Sequence, residues 1–394
     1  MLFALLTLAC DDKKPQTDDS IEPVDCSTRP IDLPSPRGEA AGVWDASNSR
    51  VVFFGGDAGW PSECIPQTEF SDETWGFHTD CDTFQRLEGT MPTGRGRHAV
   101  ALDEARGRMI MTGGRTRSGT SGDYTLLDDA WAFDFATDTW AQLATGGPKA
   151  RNSHTLVVAG DQALLYGGNT SKSGTSYKPQ ADLWSLDLTT NTWTELESDA
   201  DAGVRLFHAA AVSPDGGTMY IYAGADENAL LGPFFRDLWA YDVASATWTE
   251  LDDGKDGPKG RIWPSLFADD GSLYVWAGHD DKKLGNTNEL WSYDLAGGGW
   301  SQLTEGDVHN NNAAGFCDFP ADFVVPDLDA PERRYAHVGA WTGEGFVTFG
   351  GKTDCGIIND AWTWSGAEGW REASTATAGE ICLRAFAECE TMCF

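Results

Sequence analysis

Pro148-Lys-Ala-Arg151-Asn-Ser-His154 opens a stretch that runs through Leu164-Leu-Tyr-Gly167-Gly168 and Asp182-Leu-Trp184 to Trp193. The same order recurs along the chain. Pro92, Arg95 and His98 lead to Gly113-Gly114, Trp131 and Trp140; Pro331, Arg334 and His337 lead to Gly350-Gly351, Trp362 and Trp370. Six arginines start the copies: Arg37, Arg95, Arg151, Arg205, Arg261 and Arg334, spaced 58, 56, 54, 56 and 73 residues apart. The last interval is longer because about 17 additional residues lie between Trp300 and Arg334. A period of roughly 50 residues with four short strands per unit predicts an all-β fold, a six-bladed β-propeller with four antiparallel strands per blade.

Each unit parses into strands a to d. Strand a follows the Arg, and strand b ends at the double glycine, where the chain turns with positive φ or passes close to a neighbour. Strand c carries an acidic residue two before a tryptophan: Glu73/Trp75, Asp129/Trp131, Asp182/Trp184, Asp237/Trp239, Glu289/Trp291 and Asp360/Trp362. Strand d carries the second aromatic. Eleven of the 17 tryptophans fill these two positions, so they read as core between neighbouring sheets. The c–d connection, as in Asp187 to Trp193, reads as a tight hairpin whose Asp bonds nearby backbone N–H groups. Copies four and five read Ala223-Gly224 and Ala277-Gly278, so only the second glycine is constant.

These units resemble Kelch repeats over about residues 34–373, with Trp mostly replacing the family's Tyr before the second aromatic. The resemblance implies a propeller with blades near 37–87, 95–143, 151–196, 205–251, 261–303 and 334–373. The flanks, 11–33 and 374–394, lack the glycine doublet and the Trp pair, which argues against a seventh blade.

Charge bounds the partners. With 28 Lys and Arg against 61 Asp and Glu the net charge is −33, which would repel nucleic acid. Acidic loops such as Asp252-Asp253-Gly254-Lys255-Asp256 lack EF-hand spacing and read as solvated. Residues 1–10 form a short apolar run ending in Ala9-Cys10, followed by a polar segment. This resembles a bacterial lipoprotein signal, with Cys10 lipidated, residues 11–33 a disordered linker and lead-in, and the protein held at the cell envelope. An ordinary secretory signal is the alternative. No run reaches 18 apolar residues, so any membrane attachment would be through a lipid anchor. Removing Cys10 leaves eight cysteines, read as up to four disulfides in an oxidising compartment. Connectivity points to Cys317–Cys355, and to Cys64 with the C-terminal tail.

Strand direction places the d–a connections and the b–c loops on one face, where long loops on a rigid scaffold carry function. Lys and Arg concentrate there. In Kelch proteins that bind peptides, Arg at the repeat position contacts acidic ligands. The resemblance therefore implies an anion-binding ring of Arg37, Arg95, Arg151, Arg205, Arg261 and Arg334. The other reading pairs each Arg with a neighbouring-blade carboxylate or a backbone carbonyl, so that it ties blades together. If the ring binds, replacing Arg95 and Arg205 by Ala removes binding with little change in melting temperature. Trp60, Tyr124, Tyr177, Phe234 and Phe235 are loop aromatics outside the repeat, suited to stack on sugar or protein or to pack the loops down. His98, His154, His208 and His337 share one repeat position, which reads as packing, and no metal or other cofactor is expected.

No catalytic motif stands out. The expected function is a non-enzymatic, monomeric binding module for a protein or glycan. The alternative from the resemblance is a sugar-active propeller enzyme. A galactose-oxidising copper enzyme offers ligands that find no match here. A six-bladed epimerase of N-acetylneuraminate is the nearer analogy, with Glu39, Asp226 or Glu227 as the acid/base carboxylate.

Overall fold

The computed structural model describes residues 24–59, 67–119, 121–144, 146–229, 231–280, 285–310, 324–353 and 356–377. Among them the only helical turns are three 3-10 turns, at Cys26–Thr28, Ala46–Asn48 and Glu104–Arg106. Among the described residues six of the eight sheets are blades, and each takes strands a, b, c and d in order from one contiguous segment. Blade one uses Ala41–Asp45, Arg50–Phe54, Thr74–His78 and Thr83–Leu87. Blade six uses Val338–Trp341, Gly345–Thr353, Gly356–Ser365 and Gly369–Ser374. The six innermost strands neighbour one another in a cycle that brings blade six back to blade one. The fold is the six-bladed propeller that the repeats require.

The core lies between the blades. Six of the apolar clusters each draw on two successive blades, so every seam has its own core. The strand d aromatic of one blade packs on a strand b aromatic of the blade before it. Trp140 meets Phe54 at 5.2 Å between ring centroids, Trp248 meets Tyr166 at 5.3 Å, and Trp370 meets Trp276 at 5.1 Å. At the closing seam Phe53 stacks on Phe349 at 4.6 Å. Such pairs add to simple area burial because ring edges meet ring faces.

The glycine doublet joins neighbours. The second glycine's N–H donates to the carbonyl of the next blade's repeat Arg: Gly56 to Arg95, Gly114 to Arg151 and Gly168 to Arg205 at 2.9 Å, and Gly351 to Arg37 at 2.8 Å. The first position has φ of 58–70°, left-handed space that Ala223 (61°) and Ala277 (58°) also adopt. The second has φ of 92–111°, beyond that well, where only glycine sits without strain. This explains which of the two glycines is constant.

Two features depart from a plain loop reading. In blades five and six, strands b and c extend into ribbons, pairing His279 with Asn286 and Lys352 with Ile357. The additional residues before Arg334 form a small sheet, Val308–His309 against Val324–Val325. Its base is pinned by buried Asp307, which accepts from Asn288 Nδ2 (3.0 Å) and Arg333 Nη1 (2.8 Å). Cys10, Trp60, Cys64, Cys317, Cys355 and most of the C-terminal tail lie outside the described residues. Among the described residues Cys26 is bonded to Cys81, a pairing the sequence left open.

Candidate functional site at the channel mouth

The six repeat arginines are at most 2 % exposed. Each guanidinium points inward along its own blade. Nη1 donates to the carbonyl of the first doublet residue, as from Arg95 to Gly113 (2.9 Å) and from Arg334 to Gly350 (2.9 Å). Nε donates to a carbonyl two or three residues earlier. The strand c carboxylate pairs with the guanidinium: Glu73 for Arg37, Asp129 for Arg95, Asp182 for Arg151, Asp237 for Arg205, Glu289 for Arg261 and Asp360 for Arg334. Bidentate geometry is clear at Arg334, with both Asp360 oxygens at 2.6 and 2.7 Å. In five blades the carboxylate also accepts from the strand c Trp Nε1. Burial works to raise Asp129 and Asp182, but bonds from Arg95 and Arg151 outweigh it and hold both below the usual range. With their donors spent inside the blades, these arginines are ties, which corrects the expected anion-binding ring.

The repeat histidines also serve the seams. His154 bonds Thr112 Oγ1 (2.9 Å), His208 bonds Thr155 Oγ1 (2.8 Å) and His337 bonds Ser265 Oγ (2.7 Å), each on the preceding blade. His98 meets Phe54 edge-on. Burial, with the repeat Arg charge beside it, pushes His98, His154 and His337 down to about 3 and His208 well below its ordinary value.

A different ring lines the mouth. The residue two after each repeat Arg has positive φ: Glu39, Arg97, Ser153, Phe207, Trp263 and Ala336. Their backbones are linked blade to blade. Arg97 N–H donates to Glu39 O, Ser153 to Arg97, Phe207 to Ser153, Trp263 to Phe207, and Glu39 to Ala336. Just outside lie the residues after each doublet, Asp57, Arg115, Asn169, Ala225, His279 and Lys352, paired with the residue that follows the repeat Arg.

One half of this mouth is charged. Glu39, with its side chain fully buried, meets Arg97 Nε (3.0 Å), Arg115 Nη2 (3.2 Å) and Lys352 Nζ (2.8 Å). Burial would raise Glu39, but the charges of Arg115, Arg97 and Lys352 hold it well below the carboxylate range. Burial lifts Asp57, which stands near Lys352 and Glu39 and holds the base of its loop through Gly59 and Glu69 N–H. Three cations around one ionised Glu leave net positive charge on a very acidic protein. Three buried donors there lack a hydrogen-bond partner, Arg97 Nε and Nη1 and Arg115 Nε, although Arg97 Nε keeps its ion-pair contact with Glu39. A buried donor is costly unless it finds an acceptor.

The other half is aromatic. Tyr177, Phe207, Phe234 and Ile262 form a buried cluster with half-buried Trp263. Arg97 sits over the Phe207 (5.1 Å) and Trp263 (4.9 Å) rings, joining the halves. Tyr124 lies under Arg115 (3.9 Å) and Arg117 (4.3 Å), so it backs the cations. Of the loop aromatics, Tyr124, Tyr177 and Phe234 thus gather at the mouth, whereas Phe235 lies against Arg205 at 5.0 Å. Asp226 caps its own turn through Asn228 N–H. The sequence named Glu39 but missed Arg97, Arg115 and Lys352. The available signal was residue type changing at fixed offsets within a constant frame.

The family model of the KLHDC2/KLHL20/DRC7 Kelch-repeats domain matches residues 18–203 and 153–317. The chain belongs to the Kelch-repeat family. Human Kelch domain-containing protein 3 is 27 % identical over 53 % of this chain and 53 % of its own length. Bovine Kelch domain-containing protein 2 is 29 % identical over 53 % and 52 %. An N-(sulfonatooxy)prop-2-enimidothioate sulfolyase of Thlaspi arvense is 27 % identical over 45 % and 52 %. This Kelch chain thus spans about half the length of these curated relatives.

Proposed function

We propose that this Kelch propeller is a non-enzymatic binding module, and that its channel mouth takes an anionic group of a protein or glycan partner. The observation that carries this is the pair of buried, unpartnered donors, Arg97 Nη1 and Arg115 Nε, beside Lys352. A carboxylate or sulfate there would complete their hydrogen bonds, and half-buried Trp263 would take the apolar part beside it. Glu39 is the one nominated carboxylate at this point. Held ionised and fully buried by three cations, it suits a charge hub better than proton transfer, which weighs against the epimerase-like alternative. The sulfolyase relative, named for a sulfonatooxy substrate, keeps an enzymatic reading of the same anion pocket in play.

Display at the cell envelope through lipidated Cys10 belongs to the same proposal. The Cys26–Cys81 disulfide supports an oxidising compartment. The decisive test titrates the full chain with inorganic sulfate, then probes arrays of acidic and neutral peptides and of sialylated and neutral glycans. Binding confined to acidic probes and lost in Arg97→Gln and Arg115→Gln supports the reading. Binding that ignores charge, or survives both changes, overturns it.

A further inference from the structure

Five of the six seams are crossed by the chain itself, through a d–a connection. The seam between blades six and one is not, because each of these blades completes its four strands from its own segment. The described lead-in runs along blade one and reaches blade six at Pro34. At the lower face Cys26 is bonded to Cys81 in the c–d hairpin of blade one, and Arg29 pairs with Asp80 in that hairpin at 3.0 Å. The same hairpin faces blade six, because Asp82 takes Arg371 at 2.7 and 3.1 Å. Higher up, Asp32 bridges Phe84 on strand d of blade one. At the upper face Pro34 O accepts from Asn359 Nδ2 of blade six at 3.0 Å. Asn359, 2 % exposed, also holds the chain leaving blade six, through Thr377 N–H (2.9 Å) and Oγ1 (2.7 Å). One buried amide therefore ties both ends of the ring together.

The proposed binding site straddles this seam. Glu39 belongs to blade one, and two of its partners, Lys352 Nζ and Ala336 O, belong to blade six. We propose that Cys26–Cys81 is a redox-operated clasp on the six–one seam that regulates the mouth, a reading that rests on the function proposed above. A dithiol reductant breaks the S–S bond and delivers two electrons and two protons. Two cysteine thiols form, and the reductant becomes a disulfide. The lead-in then loses its covalent hold on the hairpin, and the seam opens locally more often. With Lys352 no longer held against Glu39, the cation cluster loses its arrangement.

Hydrogen exchange on the full chain tests this. The reporters are the Arg37, Glu39 and Gly351 amides, all bonded across the seam, with the Gly168 and Phe207 amides at the three–four seam as control. Dithiol treatment and Cys26→Ser/Cys81→Ser should each speed the reporters about tenfold and leave the control unchanged. Asn359→Ala should do the same with the disulfide intact, which keeps the clasp testable if the cysteine variant folds poorly. Equal acceleration at both seams, or none, overturns the clasp. Inorganic sulfate, titrated in parallel, should bind the reduced protein at least about threefold more weakly. Unchanged sulfate affinity with a faster seam refutes the regulation. Sulfate that fails to bind even the oxidised protein refutes the site, while the exchange result still decides the clasp.

Discussion

Two arginines two residues apart, Arg95 and Arg97, meet opposite fates. Arg95 is wholly buried and has each Nη matched, by the Gly113 carbonyl and both Asp129 oxygens. Arg97 is also nearly buried, yet its Nη1 has no acceptor and its plane lies on Phe207 and Trp263. The Arg95 donors are all met inside its own blade, and those of Arg97 at the mouth are not. The difference comes from backbone geometry: Arg95 lies in line with strand c and its acid, whereas positive φ at Arg97 turns the side chain over the channel. Charge on a functional face is therefore a weak guide until its partners are known.

Acid should damage the interior first, with the largest effect. Below pH 6.5 the unfolded chain protonates its histidines, while folded His98, His154 and His337 resist to about 3. The stability they provide is complete above pH 6.5 and is lost as pH falls toward 3, on the order of 4 kcal/mol for each. Urea melts at pH 7.5, 6, 5 and 4 should show steep loss, and His154→Gln should flatten it. A level profile down to pH 4 would mean that these histidines are not held neutral.

The next effect is local to one tie. Arg334→Ala leaves Asp360 buried without its cation and should cost about 3–5 kcal/mol. This reverses the expectation that such a change barely moves the melting temperature. A shift under about 1 kcal/mol would restore the repeat arginines as candidate ligand contacts.

The blades were legible in the sequence and the mouth was not. Trp140, Gly114 and Asp129 each answer one physical demand that recurs in every blade, so their residue types recur too. The link from Arg95 to Asp129 was missed because the two lie 34 residues apart and pair only once strands a, b and c are side by side. At the mouth, the demand is on the backbone alone. Glu39, Arg97, Phe207 and Trp263 share a left-handed φ that none of them favours, imposed by the ring of inter-blade hydrogen bonds. With no preferred side chain, the position leaves no repeated letter.

A smaller effect separates the two doublet glycines. Gly350→Ala enters the conformation that Ala223 already holds and should cost about 1 kcal/mol, whereas Gly351→Ala, at φ 109°, should cost about 2–3 kcal/mol. The space is similarly tight at both, with a new Cβ 2.8 Å from Arg37 O at Gly350 and 2.9 Å from His337 Cβ at Gly351, so φ is what separates them. Equal costs in thermal melts would mean that φ is not what selects glycine there.

The smallest expected change in stability is at the mouth itself. Lys352→Gln removes one of three cations from Glu39 and leaves Arg97 and Arg115 in place. The lysine side chain is 24 % exposed, so water can take over part of its role, and the loss should stay near 1 kcal/mol. Binding should respond more than folding. The Glu39 charge would then be shared between Arg97 and Arg115 alone, leaving less positive potential for an incoming anion. Inorganic sulfate should bind about three- to tenfold more weakly, with a shallower dependence on salt, since one fewer charge is screened. If Lys352→Gln instead destabilises as much as Arg334→Ala and leaves sulfate affinity unchanged, the mouth is a second set of structural ties, and the contrast between interior and mouth fails.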